Sequence, residues 1–105
     1  LVFVAADQLD ILTARNIQGT PALVVEVLSP STRTRDREIK RRLYDRAGVR
    51  EYWLVDPDLH AVTVHRRNSD GGFPAAAHLT AERHDTLETP LVSGWSVTLA
   101  RLFRA

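Results

Sequence analysis

The sequence predicts an α/β domain in which a mixed β-sheet carries one packed helix. The main observation is an apolar run at residues 22–28, which lacks polar alternation and is typical of a central strand covered on both faces. A helical pattern follows at residues 36–47, and a hairpin pattern joins residues 51–55 to residues 61–66. This order of strand, helix and hairpin predicts both parallel and antiparallel pairing.

The first half of the chain is expected to begin with a short buried strand at residues 1–4, an apolar run. Residues 7–19 mix polar and apolar types and indicate a short helical turn and loop. The central strand at residues 22–28 then ends at a Ser-Pro pair.

The helix is expected over residues 36–47. Ile39, Leu43 and Ala47 lie at i, i+4 and i+8 and would form its buried stripe. Thr34 is the expected N-cap. Gly48 stands where a left-handed residue commonly ends a helix.

The second half of the chain is predicted to consist of short strands and turns. The turn Asp56-Pro57-Asp58 separates the two strands of the hairpin. Further strands are expected at residues 73–80, 87–92 and 95–98, followed by a helical turn at residues 99–103.

The composition supports one folded domain over residues 1–105. Apolar residues make up 44% and charged residues 26% of the chain, which is typical of globular proteins. No apolar run approaches the roughly 18 residues of a membrane span, and the N-terminus lacks the basic flank of a secretory signal. We therefore expect an intracellular, cytoplasmic protein. The absence of cysteine excludes disulfides, thiolate nucleophiles and cysteine-ligated zinc.

The net charge of +1 conceals an uneven distribution. From Arg33 to Arg50, eight basic residues stand against three acidic ones, which gives this stretch +5 and the remainder of the chain −4. Such a stripe is expected of a phosphate-binding face, but a solvated helix face has the same composition.

Lys40 is the single lysine among fourteen basic residues. Unlike arginine, its amine has a pKa that its surroundings can tune.

Glu26 interrupts the otherwise apolar central strand. Its side chain shares a face with Val24 and Leu28 and is expected to point into the fold. An unpaired carboxylate there costs free energy, or its pKa shifts until the group is neutral. A cationic partner is therefore expected, and a buried salt bridge to an arginine would be a purely structural explanation.

Lys40 is a specific candidate for that partner. A helix that packs back on the sheet returns its first turns near the end of the preceding strand. Lys40 and Tyr44 lie at i and i+4 beside the apolar stripe, so both can face that strand. A carboxylate and an ammonium group in that place suit a divalent cation and a phosphodiester. The alternative is an ordinary surface lysine. The approaching segment carries three arginines: Arg33, Arg35 and Arg37.

Other chemistries find no support in the motifs. His60 and His65 are five residues apart in a predicted strand, and neither has ligand spacing with His78 or His84, so we expect no zinc site. Glycine-rich phosphate loops and nucleophile-elbow sequences do not occur, so nucleotide binding and serine hydrolysis are not expected.

Three blocks of sequence carry a resemblance to a known family. They are residues 19–32 (GTPALVVEVLSPST), the helix positions Asp36, Lys40 and Tyr44, and the segment after the helix, with Gly48-Val49 and then residues 51–57 (EYWLVDP). In order and spacing, nearly the whole chain closely resembles the Uma-type restriction endonuclease family. That family is a former domain of unknown function within the PD-(D/E)XK nuclease superfamily.

The resemblance implies a restriction-endonuclease-like fold and metal-dependent cleavage of DNA, with Mg²⁺ or Mn²⁺ as cofactor. It implies that Glu26 is the metal-binding acid, that the carbonyl of Val27 is a further ligand, and that Lys40 is the catalytic lysine, moved from the strand to the helix. Beside these implied roles, the basic stripe predicts DNA binding by Arg33, Arg35 and Arg37, and Tyr44 and Asp36 are expected to support the site.

Two departures from the family pattern bear on activity. The family usually has an acidic residue where Ala22 stands, and its first metal-binding Asp would fall immediately before Leu1. The family's N-terminal helix and hairpin are also missing, so the chain resembles the C-terminal part of the domain. Two functions therefore stay open: a metal-dependent nuclease, or a non-catalytic module that binds nucleic acid or self-associates. We expect self-association as a dimer, through apolar surface beside residues 1–4 and 22–28, by strand pairing across an open edge.

Overall fold

The structure is a computed structural model that describes residues 2–3, 21–28, 35–68, 73 and 76–104. For residues 2–3 and 35–39 it describes the backbone alone. The elements in chain order are β1 (Val2–Phe3), β2 (Leu23–Val27), α1 (Arg35–Ala47), β3 (Glu51–Asp56), β4 (Ala61–Arg66), β5 (Ala77–Thr80), β6 (Thr86–Glu88), β7 (Ser96–Thr98) and α2 (Leu99–Leu102).

Five of these strands form one mixed sheet in the order β1-β2-β3-β4-β5, and β6 pairs with β7 in a second small sheet. β2 and β3 run parallel, with Leu23 opposite Glu51 and Val27 opposite Val55. The other neighbours in the large sheet are antiparallel. The predicted mixed α/β fold is confirmed, and β2 has a neighbouring strand on each side.

The two faces of the large sheet bury different clusters. One face holds Leu23, Trp53, Val62 and Val64 together with Leu87 and Leu99 from the second half of the chain. The opposite face holds Val24, Leu28, Tyr52 and Leu54 with Val49, and Tyr44 of α1 packs against that cluster. Alternate residues of β2 and β3 therefore pack into the clusters on opposite faces of the sheet, because successive side chains of a strand point to opposite faces.

Cover on both faces of β2 is incomplete among the described residues. Leu23 and Val24 are buried, but the side chain of Val27 is 66% exposed. The prediction of a strand covered on both faces is therefore wrong at Val27, the last residue of the strand.

The predicted buried stripe of α1 is also wrong in its orientation. Leu43 is 55% exposed and Ala47 is exposed, whereas Lys40 and Tyr44 are half-buried. One residue of a helix corresponds to a rotation of about 100°, so the helix presents the neighbouring row of side chains to the sheet. Tyr44 explains the rotation, because its ring packs 4.8 Å from the ring of Tyr52, measured between centroids.

Other predicted elements are present with shorter bounds. The expected strand at residues 73–80 is described as Ala77–Thr80, and the strand pieces near residues 87–92 and 95–98 are Thr86–Glu88 and Ser96–Thr98. Thr98 caps α2 by accepting from the backbone N–H of Arg101. The expected helical turn at residues 7–19 and the expected N-cap Thr34 lie outside the described residues. In the described part of the chain, no helix combines the length and apolar character needed to cross a membrane.

Glu51 is a buried carboxylate at the start of β3, 2% exposed. Its Oε1 accepts from the Trp53 indole N–H at 2.9 Å, and its Oε2 accepts from the Thr89 hydroxyl at 2.5 Å. Arg66 completes the network as a two-point ion pair, with Nε 3.2 Å from Oε2 and Nη2 3.3 Å from Oε1. The carboxylate thereby ties β3 to β4 and to the segment after β6.

We expect Glu51→Ala to lower the free energy of unfolding by about 3 kcal/mol, because it leaves the buried donors of Trp53 and Thr89 without an acceptor. Urea unfolding followed by tryptophan fluorescence measures the loss. Glu88→Ala is the matched control, since the exposed Glu88 side chain is replaced while its carbonyl still accepts from Arg66. The control should change stability by less than about 0.5 kcal/mol, and equal losses in the two variants would contradict the assignment.

Candidate active site

Glu26 lies near the end of β2, on the face that packs against α1. It alternates with the buried Val24 and Leu28, so its side chain projects on the same side of the sheet. The carboxylate is 28% exposed. It is thus half-buried at a strand end, where solvent and a ligand can still reach it.

Lys40 and Tyr44 meet the two oxygens of that carboxylate. Lys40 Nζ lies 3.3 Å from Glu26 Oε2, and the Tyr44 hydroxyl donates to Glu26 Oε1 at 2.9 Å. Because the two residues are i and i+4 on α1, they stand on one face of the helix, one turn apart. Among the described side chains, the cation that meets Glu26 is therefore Lys40. The alternative of a salt bridge to an arginine stays a prediction, since the side chains of Arg33, Arg35 and Arg37 are outside the described ones.

The Tyr44 hydroxyl is held in its neutral form. Burial, the hydrogen bond to Glu26 and the negative charge of Glu26 together raise the pKa of Tyr44 to about 12. Tyr44 therefore remains a hydrogen-bond donor throughout the neutral range, and it fixes the orientation of the Glu26 carboxylate while Lys40 supplies the positive charge.

The end of α1 is anchored in a way that holds this face of the helix toward β2. Gly48 has a φ of +85° and ends the helix, with its N–H bonded to the carbonyl of Asp45 at 3.1 Å. Arg67 then binds the Asp45 carboxylate at 3.1 Å, the Asp45 carbonyl at 2.9 Å and the Val49 carbonyl at 3.0 Å. The guanidinium also lies 4.7 Å above the centre of the Phe73 ring.

Of the other predicted site residues, the structure describes the side chain of Val27 but not those of Arg33, Arg35, Asp36 and Arg37. Val27 follows Glu26 on the strand, and the Leu28 N–H donates to the Val55 carbonyl at 2.8 Å. Because neighbouring residues of a strand turn their backbone groups to opposite sides, the Val27 carbonyl points away from β3. Arg33 lies outside the described residues. The backbones of Arg35, Asp36 and Arg37 form the first turn of α1, and their side chains are not among the described ones.

Two residues that organise the structure were not identified from the sequence. Arg67 follows β4 in a run that shows no helical or strand period, and Glu51 opens an otherwise apolar strand. Glu51 had a detectable signal, since it is an acidic residue next to an aromatic and aliphatic run, as Glu26 is. Nothing in the local pattern indicates that Arg67 contacts a helix end 22 residues earlier in the chain.

Comparison with known proteins agrees with this architecture. The family model Uma2, described as "Putative restriction endonuclease", matches residues 1–100. A crystal structure described as "a putative nuclease belonging to DUF820", from Anabaena variabilis, superposes with a TM-score of 0.69 at 21% identity. The match covers 89% of this chain and 52% of that one, and it shows that the two share a fold.

A curated relative is similar over part of the chain. The uncharacterized protein slr1290 of Synechocystis sp. is 38% identical over 64 residues, which are 60% of this chain and 34% of the relative. The matched segment is thus about a third of the length of that relative, and the chain spans about half of the solved Anabaena protein.

We expect Glu26→Gln to lower the pKa of Tyr44 from about 12 toward, but not to, its ordinary value of 10.0. The substitution removes the negative charge and weakens the hydrogen bond, while burial, the largest cause, remains. Carbon-13 NMR of ring-labelled tyrosine against pH measures the shift, and Tyr44→Phe identifies the signal. Since the folded-state pKa is raised, the associated stability is complete below pH 10 and declines as pH rises through about 12. An unchanged pKa in Glu26→Gln would contradict the contact.

Proposed function

The chain belongs to the Uma2 family, whose description is "Putative restriction endonuclease", and from this membership we infer that it is the Glu- and Lys-bearing part of a metal-dependent DNA endonuclease. The observation that carries the proposal is the contact between Glu26 and Lys40 at 3.3 Å, at an accessible strand end. A carboxylate beside an ammonium group suits phosphodiester hydrolysis. The carboxylate can hold a metal ion, and the ammonium group can stabilise negative charge that develops on the phosphate.

The donor chemistry of the site fits Mg²⁺ or Mn²⁺, which prefer oxygen ligands. The Glu26 carboxylate and the Val27 carbonyl would hold the ion. Within the described part of the chain, no three His, Cys, Asp or Glu side chains gather into a metal-binding group, so further ligands would come from elsewhere. When bound, the ion would supply an activated water and neutralise charge on the phosphate.

The register of β1 supports a place for a second carboxylate. Val2 is opposite Val24 and Phe3 is opposite Leu23, so each step upstream on β1 moves one residue forward on β2. In a chain that continued this strand, the position before Leu1 would face Glu26. Directly opposed residues of an antiparallel pair project on the same side of a sheet about 5 Å apart. An Asp at that position would therefore join Glu26 on the face that carries Lys40.

Lys40 and Tyr44 have separate tasks in this proposal. An ammonium group has three donors, so Lys40 can keep its bond to Glu26 while it donates to a phosphate oxygen or orients the attacking water. Tyr44 holds Glu26 Oε1 at 2.9 Å and stays neutral, because its pKa is raised to about 12. The basic stretch with Arg33, Arg35 and Arg37 would add attraction for the DNA backbone.

The competing proposal is a non-catalytic module that binds nucleic acid or self-associates. It is favoured by the engagement of both Glu26 oxygens, one by Lys40 and one by Tyr44. Among the described residues, no group of three or more His, Cys, Asp or Glu side chains surrounds Glu26. A cytoplasmic location stays a prediction under either proposal.

We expect plasmid cleavage with Mn²⁺ or Mg²⁺ from a version extended upstream of Leu1 with Asp at the preceding position, and little from a matched version with Asn there. In the Asp version, Lys40→Ala should lower the cleavage rate by about 10²–10³-fold, the usual effect of losing one group that stabilises transition-state charge. Glu26→Gln should abolish metal-dependent cleavage.

Arg46→Ala is the control for that assay, because Arg46 is an exposed cation on the same helix. It should leave the cleavage rate within about twofold, as expected for a surface side chain remote from the chemistry. Cleavage that survives Lys40→Ala would refute the mechanism, and cleavage that persists in a chelator would refute the metal requirement. If both the Asp version and the Asn version bind DNA and neither cleaves it, the result would favour the non-catalytic module.

We also propose that the chain forms a dimer along the β1 side of the large sheet. The exposed apolar side chain of Val27 supports this proposal, since it lies on β2, the strand next to β1, and exposed apolar surface favours association. Light scattering after size exclusion should give about twice the 11.8 kDa chain mass. Val27→Lys should restore the monomer, while Leu59→Lys, at the 68% exposed Leu59 of the β3–β4 turn, should not. A chain that stays monomeric at high concentration would contradict the dimer.

A further inference from the structure

A pocket of about 590 Å³ lies beside the second small sheet, on the side of the molecule away from the Glu26 carboxylate. Its lining includes Arg66, Glu88, Thr89, Ser93, Trp95 and Ser96. Arg66 and Thr89 both bind Glu51, which projects from β3 on the same face as Trp53. Tyr44 and Glu26 lie on the opposite face, so this pocket is separate from the candidate active site.

The pocket is built on the buried Glu51 carboxylate. Thr89 is buried, donates to Glu51 and accepts from the Leu91 N–H at 3.2 Å. Two turns then follow, closed by the Val92 N–H to the Thr89 carbonyl and the Trp95 N–H to the Val92 carbonyl. Gly94 has a φ of +79°, a conformation that suits glycine. The segment between β6 and β7 is therefore held in a defined shape and places Trp95 at the pocket.

Trp95 presents an aromatic surface to the pocket. Its ring is stacked on that of Trp53, with centroids 6.0 Å apart and planes 16° from parallel. Trp53 is 6% exposed and fixed by its bond to Glu51, whereas Trp95 is 39% exposed. One side of the Trp95 indole thus rests on a rigid neighbour, and its exposed surface can stack on a planar ring.

The charges at the pocket favour a neutral ligand. Among the described residues that line it, Arg66 is the one cation and Glu88 the one anion. Arg66 is also paired with Glu51 behind it. Because the local charge is not positive, a phosphate group would gain little from binding there. The binding of a neutral ring with hydrogen-bond donors and acceptors does not depend on a positive local charge.

The polar groups of the pocket complement such a ring. In the described part of the chain, Arg66 commits Nε and Nη2 to Glu51 and to the Glu88 carbonyl, which leaves the donors of Nη1 for a ligand. The hydroxyls of Ser93 and Ser96 can donate or accept. A pocket of about 590 Å³ also falls in the usual range for small-molecule sites.

We propose that this pocket binds a nucleobase, stacked on Trp95 and hydrogen-bonded by Arg66 and the neighbouring serines. The ligand is a neutral heteroaromatic ring, which can belong to a free nucleoside or to an unstacked base of a single strand. This inference does not depend on cleavage at Glu26 and Lys40.

The test follows the two indole N–H signals of the folded chain by NMR. Guanosine, adenosine, cytidine and thymidine are the first arm, and a short single-stranded DNA oligonucleotide is the second. Ribose and inorganic phosphate are the controls. The Trp95 signal, identified by its loss in Trp95→Phe, should shift saturably with a nucleoside or with the oligonucleotide, and with neither control. The arm that binds more tightly identifies the source of the base.

Ligand-observed NMR then compares variants in which the Trp53 indole N–H still gives one sharp signal protected from solvent exchange, which shows that its bond to Glu51 is intact. Trp95→Leu should weaken base binding by about tenfold or more, because it removes the stacking surface, whereas Trp95→Phe should retain most of it. Arg46→Ala, at an exposed cation of α1, should bind as the unchanged chain does. Because base binding is measured without Mg²⁺ or Mn²⁺, its failure is distinct from failure of the nuclease proposal. Absence of a saturable shift in both arms, an equal shift with phosphate, or undiminished binding by Trp95→Leu would overturn the inference.

Discussion

The parallel pairing of β2 with β3 is the constraint on which the rest of the structure depends. Adjacent parallel strands cannot be joined by a tight turn, so the chain must leave the end of β2 and return to the start of β3. The return includes α1, which brings Lys40 and Tyr44 onto the face that Glu26 shares with Val24 and Leu28. The crossover therefore creates the candidate site. The strand contributes the carboxylate of Glu26, and the helix that follows it contributes the ammonium group of Lys40.

Tyr44 determines which side of α1 meets the sheet, through both an aromatic contact and a hydrogen bond. Leu43 remains exposed while Tyr44 packs on Tyr52 and bonds to Glu26. Close to Tyr44, Arg67 binds the carboxylate and the carbonyl of Asp45 in the last turn of the helix. These contacts fix the rotation of the helix at its C-terminal end, and the distance between Lys40 and Glu26 follows from that rotation.

Two glutamates on neighbouring strands illustrate how burial separates structural from chemical roles. Glu51 is almost fully enclosed, and its oxygens are occupied by Trp53, Thr89 and Arg66. Breaking such a network leaves buried donors unsatisfied, so the role of Glu51 is to stabilise the fold. Glu26 is half-buried and is met by an ammonium group that is 38% exposed. A pair of this kind can exchange partners with a ligand at little cost in stability.

The sequence by itself determined the mixed α/β architecture, the order of the main elements, and the identity of Glu26, Lys40 and Tyr44 as neighbours. These follow from period and spacing: an apolar run with one acid, an i and i+4 pair on a helix, and a glycine at the helix end. Only the tertiary structure decided the rotation of α1, the exposure of Val27, and the assembly of Arg67 and Glu51 with their partners. Periodicity specifies which residues share a face of one element. The choice of which face is buried depends on contacts between segments far apart in the chain, such as Arg67 with Asp45 or Glu51 with Thr89, and no local pattern encodes those contacts.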